Sequence, residues 1–142
     1  MRIMLSVLGE GRGHMTQALA VKEIVERAGH QVTGVALGLS ENRKVPEYFA
    51  DAMGLPIAQV RTLEFRFKND RQVDLPGTLV GVMRSLPSYR RGVGVLKNLV
   101  RECRPDVIVN FFEALTGLAA LTCRNRPPVV ALAPQFMTGH PE

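Results

Sequence analysis

The most regular feature of the sequence is a series of short apolar runs separated by longer amphipathic stretches. Apolar runs of this length with few polar residues are typical of parallel strands that are covered on both faces. The first run is interrupted only by Ser6, and the fourth only by Asn110. The pattern therefore predicts strands over residues 3–8, 31–37, 57–60, 107–112 and 129–133.

Between these runs, apolar residues recur every three or four positions, which is the period of a helix with one buried face. One such face is formed by Ala18, Val21, Ile24, Val25 and Ala28, and another by Val93, Leu96, Leu99, Val100 and Cys103. We expect Pro87 to divide one helical stretch in two, because proline lacks an amide proton and clashes with the preceding turn. The predicted helices cover residues 15–28, 46–53, 76–86, 88–103 and 114–123.

Residues 61–74 follow a different pattern, in which apolar and charged side chains alternate. Leu63, Phe65 and Phe67 are apolar, whereas Glu64 and the other intervening residues are charged. Because a period of two is that of a strand with one buried face, this stretch is predicted to be an edge strand or an extended flap.

Strands that alternate with helices along the whole chain predict an α/β fold, namely a Rossmann-like open, mostly parallel sheet with helices on both faces. In such sheets ligands bind at the carboxyl ends of the strands. Three loops are therefore expected to converge: Gly9 to His14, Asn110 to Glu113, and Pro134 to His140. At 142 residues the chain has the size of a single domain.

Composition narrows the class of protein. The net charge of +5 favours anionic partners. No run of about 18 apolar residues is present to span a bilayer. Cys103 and Cys123 have no metal-ligand spacing and lie in apolar helical stretches, which predicts reduced thiols and a cytoplasmic protein. The sequence around the predicted helix break is rich in basic residues. These residues form either a solvated helix face or a surface for peripheral contact with an anionic membrane, and both interpretations stay open. With no Trp and two Tyr to stack on bases, we expect no nucleic-acid partner.

Candidate chemistry is concentrated between the first strand and the first helix. The segment Gly9-Glu10-Gly11-Arg12-Gly13-His14 places three alternate glycines and a histidine at a strand-to-helix turn. Such a turn binds anions, because glycines allow close approach to the backbone and the helix start offers free amide groups. The spacing is not Gly-x-Gly-x-x-Gly, no acidic residue ends the second strand, and no Walker lysine is present. These differences argue against a dinucleotide enzyme and against a P-loop NTPase.

This loop, the Ala18-Leu19-Ala20 helix and the following Ala28-Gly29-His30 turn together resemble one family. They are similar to the N-terminal domain of GT-B glycosyltransferases, especially the group that transfers N-acetylglucosamine to a lipid-linked muramoyl pentapeptide. The resemblance implies that residues 1–142 form one Rossmann-like N-terminal domain of a longer two-domain chain. It also implies an acceptor-side domain, with most of the nucleotide-sugar donor held by a C-terminal half.

The resemblance further implies roles for individual residues. His14 occupies the position where many GT-B enzymes keep a catalytic base, and Glu113 is the candidate carboxylate that would orient it. Asn110 lies at the aligned position but can orient without charge, so either Glu113 orients the ring or His14 is not a base. The residues expected to contact substrate are Gly9, Glu10, Gly11, Arg12, Gly13, Asn110 and Gln135. No cofactor and no metal are expected, and the nucleotide-sugar is a co-substrate.

One alternative of a different class stays open. A Rossmann-like domain with a glycine loop can also be a non-catalytic module that binds an anion or a nucleotide. For the transferase, the expected acceptor is lipid-linked or a small hydrophobic molecule, and the N-terminal domain by itself is expected to be inactive. The expected location is the cytoplasm, with the inner membrane face as the site of any peripheral contact.

Overall fold

A computed structural model describes residues 1–62, 67–68, 72–73, 75–125 and 127–132 of the protein. Its main element is a five-stranded sheet in which every neighbouring pair of strands is parallel. In chain order the strands of this sheet are β1 (Arg2–Leu8), β2 (Gln31–Leu39), β3 (Ile57–Arg61), β6 (Val107–Phe111) and β7 (Val129–Ala131). Their spatial order is β3-β2-β1-β6-β7. The predicted α/β class and the parallel sheet are confirmed.

In the described part of the chain, four helices cover the sheet, with two on each face. They are α1 (Arg12–Arg27), α2 (Glu47–Met53), α3 (Leu75–Cys103) and α4 (Ala114–Thr122). Buried residues of α1 and α2 share one core cluster with Leu5 and Val7 of β1. Buried residues of α3 and α4 share a second cluster with Met4. Because alternate residues of a strand face opposite sides of the sheet, β1 contributes to both clusters.

The first βαβ unit follows the predicted pattern closely. β1 is buried from Ile3 to Val7, as an apolar strand covered on both faces must be. Gly29 has φ +79° just after α1, in the left-handed conformation that ends helices. Three details differ. α1 begins at Arg12 rather than Met15, so Gly13 and His14 belong to its first turn. β2 continues to Leu39 rather than ending at residue 37, and Ile24, which was predicted on the buried face of α1, is 64% exposed because it lies at the edge of that face.

The predicted break at Pro87 is wrong. Residues Leu75–Cys103 form one continuous helix with Pro87 inside it. The cost of a proline in a helix is a lost amide bond and a steric clash. Burial of the same helix supplies the compensation, because Tyr89, Leu96 and Val100 all pack in the second core cluster. Pro87 itself is exposed.

The alternating stretch at 61–74 is described only in part. Two short strands, β4 (Phe67–Lys68) and β5 (Gln72–Val73), pair with each other antiparallel and form a separate two-stranded sheet. Residues 63–66, 69–71 and 74 lie outside the described residues, and most of the predicted edge strand or flap lies there with them.

Both cysteines are buried free thiols, as predicted. Burial is the main cause that raises the pKa of the Cys103 thiol, and the nearby Glu102 acts in the same direction. A raised pKa keeps the group in its unreactive thiol form at neutral pH. None of the described helices combines the length and the hydropathy that crossing a bilayer would need.

Candidate active site

The strand order places the candidate site at the centre of the sheet. From β1 the chain moves to β2 and β3 on one side, and α3 then carries it back to β6 on the other side. The carboxyl ends of β1 and β6 therefore flank the point where the strand order reverses. Ligands of open α/β sheets bind in the crevice at such a point. The loop that begins at Gly9 and the turn from Asn110 to Glu113 both leave the sheet there.

Close packing against β2 leaves no room for a side chain at Gly9. Its amide donates a hydrogen bond to the carbonyl of Gly38 over 2.7 Å. A Cβ at this position would overlap the side chain of Leu39 and lie 3.1 Å from the Gly38 carbonyl oxygen. Because both neighbours belong to the buried strand β2, they have little room to move. This contact ties the start of the loop to the sheet.

Gly11 and Gly13 differ from Gly9, because a Cβ at either position would meet no atom of the described residues within 4 Å. Gly11 has φ −144° and ψ 158°, an extended conformation open to any residue, and it forms the N-cap of α1 without a side-chain hydrogen bond. Glycine is a common N-cap residue, which accounts for Gly11. Gly13 lies inside the first turn, where glycine costs stability relative to alanine, and no packing contact with the described residues requires it. No described side chain caps the amide end of α1, so a ligand can approach its free amides.

Glu10 and Arg12 point to different partners. An Oε1 atom of Glu10 accepts a hydrogen bond of 2.6 Å from the amide of Ser40, which joins the first loop to the end of β2. Arg43 donates to the carbonyls of Gly9 and Glu10 over 3.1 and 2.8 Å. The Arg12 guanidinium lies 5.8 Å from the centre of the Tyr48 ring, within the range of a cation–π contact.

These residues surround a pocket of about 270 Å³ beside the start of α1. Its positive side chains come from two places in the chain: Arg12 at the start of α1, and the consecutive residues Arg43 and Lys44 after β2. Among its described lining residues Glu10 is the one acid, and it lies 3.8 Å from Arg43. The positive charges and the helix start favour an anionic group in this pocket.

His14 lies in the first turn of α1 and is partly buried. Its imidazole is stacked on the ring of Phe112, with the two planes 2° apart and the ring centres separated by 6.1 Å. Nδ1 of His14 is buried and has no hydrogen-bond partner among the described residues. The ring is therefore at the edge of the crevice next to the turn after β6, rather than inside the hydrophobic core.

The carboxyl group of Glu113 is the N-cap of α4. It accepts hydrogen bonds from the amides of Leu115 and Thr116, over 3.2 and 2.8 Å, and from the Thr116 hydroxyl over 2.7 Å. The Thr116 hydroxyl in turn contacts the hydroxyl of Ser6 on β1. Glu113 is only 1% exposed. Within the described part of the chain, its carboxylate serves the start of α4 and makes no hydrogen bond to His14.

Asn110 closes the turn that leads to Glu113. Its side-chain amide donates to the Glu113 carbonyl, and its side-chain oxygen accepts from the Glu113 amide, both over 2.9 Å. The prediction that this turn converges with the glycine loop agrees with the contact between Phe112 and His14. Gln135 and the whole Pro134 to His140 loop lie outside the described residues, so the predicted third loop does too.

A second pocket, of about 320 Å³, lies between α3 and the carboxyl ends of β2 and β3. Apolar parts of Val60 and Val95 line it together with Arg91 and an ion pair of 3.0 Å between Arg61 and Glu41. This pocket is partly apolar and partly charged, which suits an amphipathic ligand better than a simple anion.

Several residues of the site escaped prediction from the sequence. Phe112 ends an apolar run, so its pattern is that of a strand residue, yet it is 45% exposed and contacts His14. Arg43 lies in the loop after β2 and Tyr48 lies in α2, and neither residue is part of a recognisable sequence motif. Thr116 had a signal that could have found it, because a threonine three residues after an N-cap acid at a helix start is well placed to bond that acid.

The five-stranded parallel sheet, with the glycine loop and His14 at the point where the strand order reverses, has the Rossmann-like architecture that is found in each domain of GT-B glycosyltransferases. The model of a protein family described as "Glycosyl transferase family 1" matches residues 1–138. The chain belongs to that glycosyltransferase family.

Individual relatives agree with this assignment. The chain is 27% identical, over 124 residues, to an uncharacterized glycosyltransferase of Methanosarcina acetivorans, a match that covers 87% of the chain and 31% of the relative. A similar protein of Methanosarcina mazei is 28% identical over 121 residues, or 85% of the chain and 30% of the relative. The chain thus spans about a third of the length of these curated relatives.

Solved structures show the same fold at low sequence identity. MurG of Acinetobacter baumannii superposes with a TM-score of 0.55 at 20% identity, covering 92% of this chain and 33% of MurG. The spinosyn rhamnosyltransferase SpnG, solved in complex with thymidine diphosphate, superposes with a TM-score of 0.56 at 20% identity. That match covers 95% of this chain and 36% of SpnG.

Proposed function

We propose that this chain is the acceptor-binding domain of a two-domain glycosyltransferase. The full-length protein, meaning this chain joined to a donor-binding domain, transfers a hexosyl group from a nucleotide-sugar to a lipid-linked or small hydrophobic acceptor. Family membership supports the reaction class, and the complex of SpnG with thymidine diphosphate supports a nucleotide donor. Because one domain cannot position both reactants, the chain by itself has no activity.

In the proposed reaction, the acceptor hydroxyl attacks the anomeric carbon of the donor sugar. The bond between that carbon and the diphosphate oxygen breaks, and its electron pair leaves with the nucleoside diphosphate. The hydroxyl proton passes to the imidazole of His14, which acts as a general base. The product is a glycosylated acceptor, and the protonated imidazole later returns its proton to water.

The observation that carries this proposal is the open amide end of α1 at the reversal point of the sheet. A Cβ at Gly11 or Gly13 would meet no described atom within 4 Å, and no side chain of the described residues caps the helix. An anionic group of the acceptor, or the diphosphate of the donor, fits this position, with Arg12 beside it. The pocket between α3, β2 and β3 would take the less polar part of the acceptor.

Nucleotide binding and turnover test the proposal. We expect the full-length protein to bind UDP or thymidine diphosphate in calorimetry, and to release nucleoside diphosphate from the matching nucleotide-sugar. Residues 1–142 alone are expected to release none. Nucleotide binding without release from any UDP- or dTDP-sugar, with or without lipid acceptors, would favour the alternative of a non-catalytic binding module. Absence of both binding and release would contradict the transferase function and would leave the alternative only as an anion-binding module.

Substitution of Gly11 by valine tests the open helix end. The valine side chain would occupy the space in front of the first amides of α1, so we expect binding of inorganic pyrophosphate, as a probe for a diphosphate group, to be lost. Binding is followed by the amide NMR shifts of Gly13 and His14. The melting temperature is expected to change little, because a Cβ at Gly11 meets no described atom within 4 Å.

Gly94→Val is the matched control, since a Cβ added at Gly94 of α3 would also meet no described atom within 4 Å. This variant is expected to bind pyrophosphate like the unchanged protein. Unaltered pyrophosphate affinity in Gly11→Val would show that the anion does not approach the start of α1.

Peripheral membrane contact is part of the same proposal, because a lipid-linked acceptor lies at a membrane surface. On α3, Met83 and Leu86 are 62% and 47% exposed and stand among the exposed cations Arg84, Arg90 and Arg91. An apolar and basic helix face of this kind binds anionic lipid surfaces.

We expect the protein to sediment with phosphatidylglycerol vesicles and not with phosphatidylcholine vesicles. A Met83→Asp, Leu86→Asp double variant is expected to lose at least about 10-fold in vesicle affinity, since two apolar contacts and two units of charge change. The control is Ile24→Asp, which alters an apolar residue on α1 that is 64% exposed. Because the control adds one negative charge and the double variant two, a control loss of half the double variant's loss in binding free energy would assign the interaction to charge alone rather than to α3.

A further inference from the structure

We infer that Phe112 is a positioning residue for His14, and that its ring takes the place of the hydrogen-bonded partner that usually orients a catalytic histidine. The inference rests on the role of His14 in the proposed function. It assigns to an exposed aromatic residue a task that the sequence motif gave to a carboxylate.

The first step concerns the free nitrogen of the imidazole. A histidine that acts as a base at one ring nitrogen is held in its tautomer and orientation by a hydrogen bond to the other nitrogen. In His14, Nδ1 is buried and makes no hydrogen bond to any described residue. No hydrogen bond at Nδ1 therefore fixes the plane of this ring within the described part of the chain.

The second step concerns the two side chains that could have supplied that bond. Both oxygens of Glu113 are occupied by the start of α4, through Leu115 and Thr116. The amide group of Asn110 is occupied by the backbone of Glu113, as donor and as acceptor. Neither group makes a hydrogen bond to His14 within the described residues, and each is held in the turn or at the helix start by the bonds it already makes.

The third step is the stack itself. The rings of His14 and Phe112 are parallel to within 2°, with centres 6.1 Å apart, in the offset geometry that aromatic pairs favour. Rotation of the imidazole about its side-chain bond would lose this contact, so the Phe112 ring favours one orientation of His14.

The backbone of Phe112 gives independent support. Phe112 has φ +64°, a conformation that is rare for residues with bulky side chains and unstrained for glycine. The two hydrogen bonds between Asn110 and the Glu113 backbone close the turn around it and hold it there. Strained residues of this kind persist where the surroundings enforce them, and they concentrate at functional sites.

Kinetics of four variants test the inference in the full-length protein. We expect Phe112→Leu, Phe112→Ala and Phe112→Gly to lower kcat by about 10-fold to 100-fold, the effect typical of lost orienting contacts. The KM for the nucleotide-sugar should change less than about 2-fold, because the ring does not bind the donor. Phe112→Tyr keeps the ring and is expected to retain kcat within about 2-fold of the unchanged enzyme.

Melting temperatures of the variants distinguish a positioning role of Phe112 from a merely structural one. Phe112→Ala keeps a side chain at positive φ, whereas Phe112→Gly removes the strain, so the glycine variant should have the higher melting temperature of the two. If the stack matters, both variants are equally slow despite this difference. A kcat that follows melting temperature across the variants would overturn the inference.

A spectroscopic measurement distinguishes failure of this inference from failure of the proposed function. In protein labelled at histidine, the carbon-bound ring protons of His14 should be shifted upfield by the Phe112 ring current. The shift should persist in Phe112→Tyr and vanish in Phe112→Leu. If His14→Ala retains full turnover, the proposed base is wrong whatever the shift shows; if the shift is absent in the unchanged protein, the stack is wrong whatever the kinetics show.

Discussion

Replacement of His14 by alanine is expected to lower kcat of the full-length protein by about 100-fold or more, the low end of what a general base contributes. The physical reason is that the acceptor hydroxyl would lose the group that takes its proton as it attacks the sugar. The measurement is release of nucleoside diphosphate from the nucleotide-sugar in the presence of acceptor. Folding should be preserved, because the imidazole lies at the crevice edge and makes no hydrogen bond through Nδ1 to the described residues.

His30→Ala is the matched control. His30 lies in the turn between α1 and β2, and its Nδ1 is 3.4 Å from the amino terminus, at the opposite end of α1 from His14. We expect this variant to turn over like the unchanged enzyme. Near-normal kcat in His14→Ala would remove the imidazole from the mechanism and leave it as a ligand contact at most.

The second large effect is on stability. Glu113→Ala is expected to lower the free energy of unfolding by about 2–4 kcal/mol, since loss of a helix cap costs about 1–2 kcal/mol and loss of the hydrogen bond from the Thr116 hydroxyl to a charged group about 1.5–3 kcal/mol. The carboxylate accepts from two amides and from the Thr116 hydroxyl, and it is almost completely buried. Urea denaturation of the variant measures the change.

Glu47→Ala is the control for this stability effect. Glu47 is also an acid in the first turn of a helix, but α2 has Pro46 as its N-cap and no side-chain capping bond from the described residues, and Glu47 is not fully buried. Its removal should change the free energy of unfolding by less than about 0.5 kcal/mol. A loss of similar size in both variants would mean that the capping bonds of Glu113 contribute little.

Glu113→Gln addresses the catalytic role that the sequence analysis gave to this residue. Glutamine keeps one oxygen that can accept an amide bond and removes the charge. A large fall in kcat with little loss of stability would support Glu113 as the group that orients His14 through its charge. A loss of stability with kcat unchanged would restrict Glu113 to the start of α4 and would leave Phe112 as the orienting contact.

Much of the fold could be predicted because it depends on local pattern. The run Ile3 to Leu8 has the pattern of a strand covered on both faces, and the spacing of Ala18, Val21 and Val25 is that of a helix with one buried side. Gly29 marks the end of that helix because its conformation is nearly restricted to glycine. The resemblance to GT-B glycosyltransferases came from the same segment, so the class of protein was available before any tertiary contact was known.

The continuity of α3 could not be predicted in this way. The proline rule that predicts a break at Pro87 is local, whereas the helix is held by long-range packing of Leu96 and Val100 against the sheet. The free energy gained from that burial cannot be read from the few residues around Pro87. Tertiary packing of this kind often overrides local preference.

The sequence by itself therefore determined the alternation of strands and helices, the position of the glycine loop and the presence of an imidazole beside it. All three depend on residues that are close together in the chain. The tertiary structure alone decided the strand order, the commitment of Glu113 to the start of α4, and the contact between Phe112 and His14. The strand order and the ring contact join residues far apart in the chain. The partners of Glu113 are near it in the sequence. Its side chain is nevertheless held at the start of α4 by tertiary structure, because the Thr116 hydroxyl that it binds also contacts Ser6 of β1.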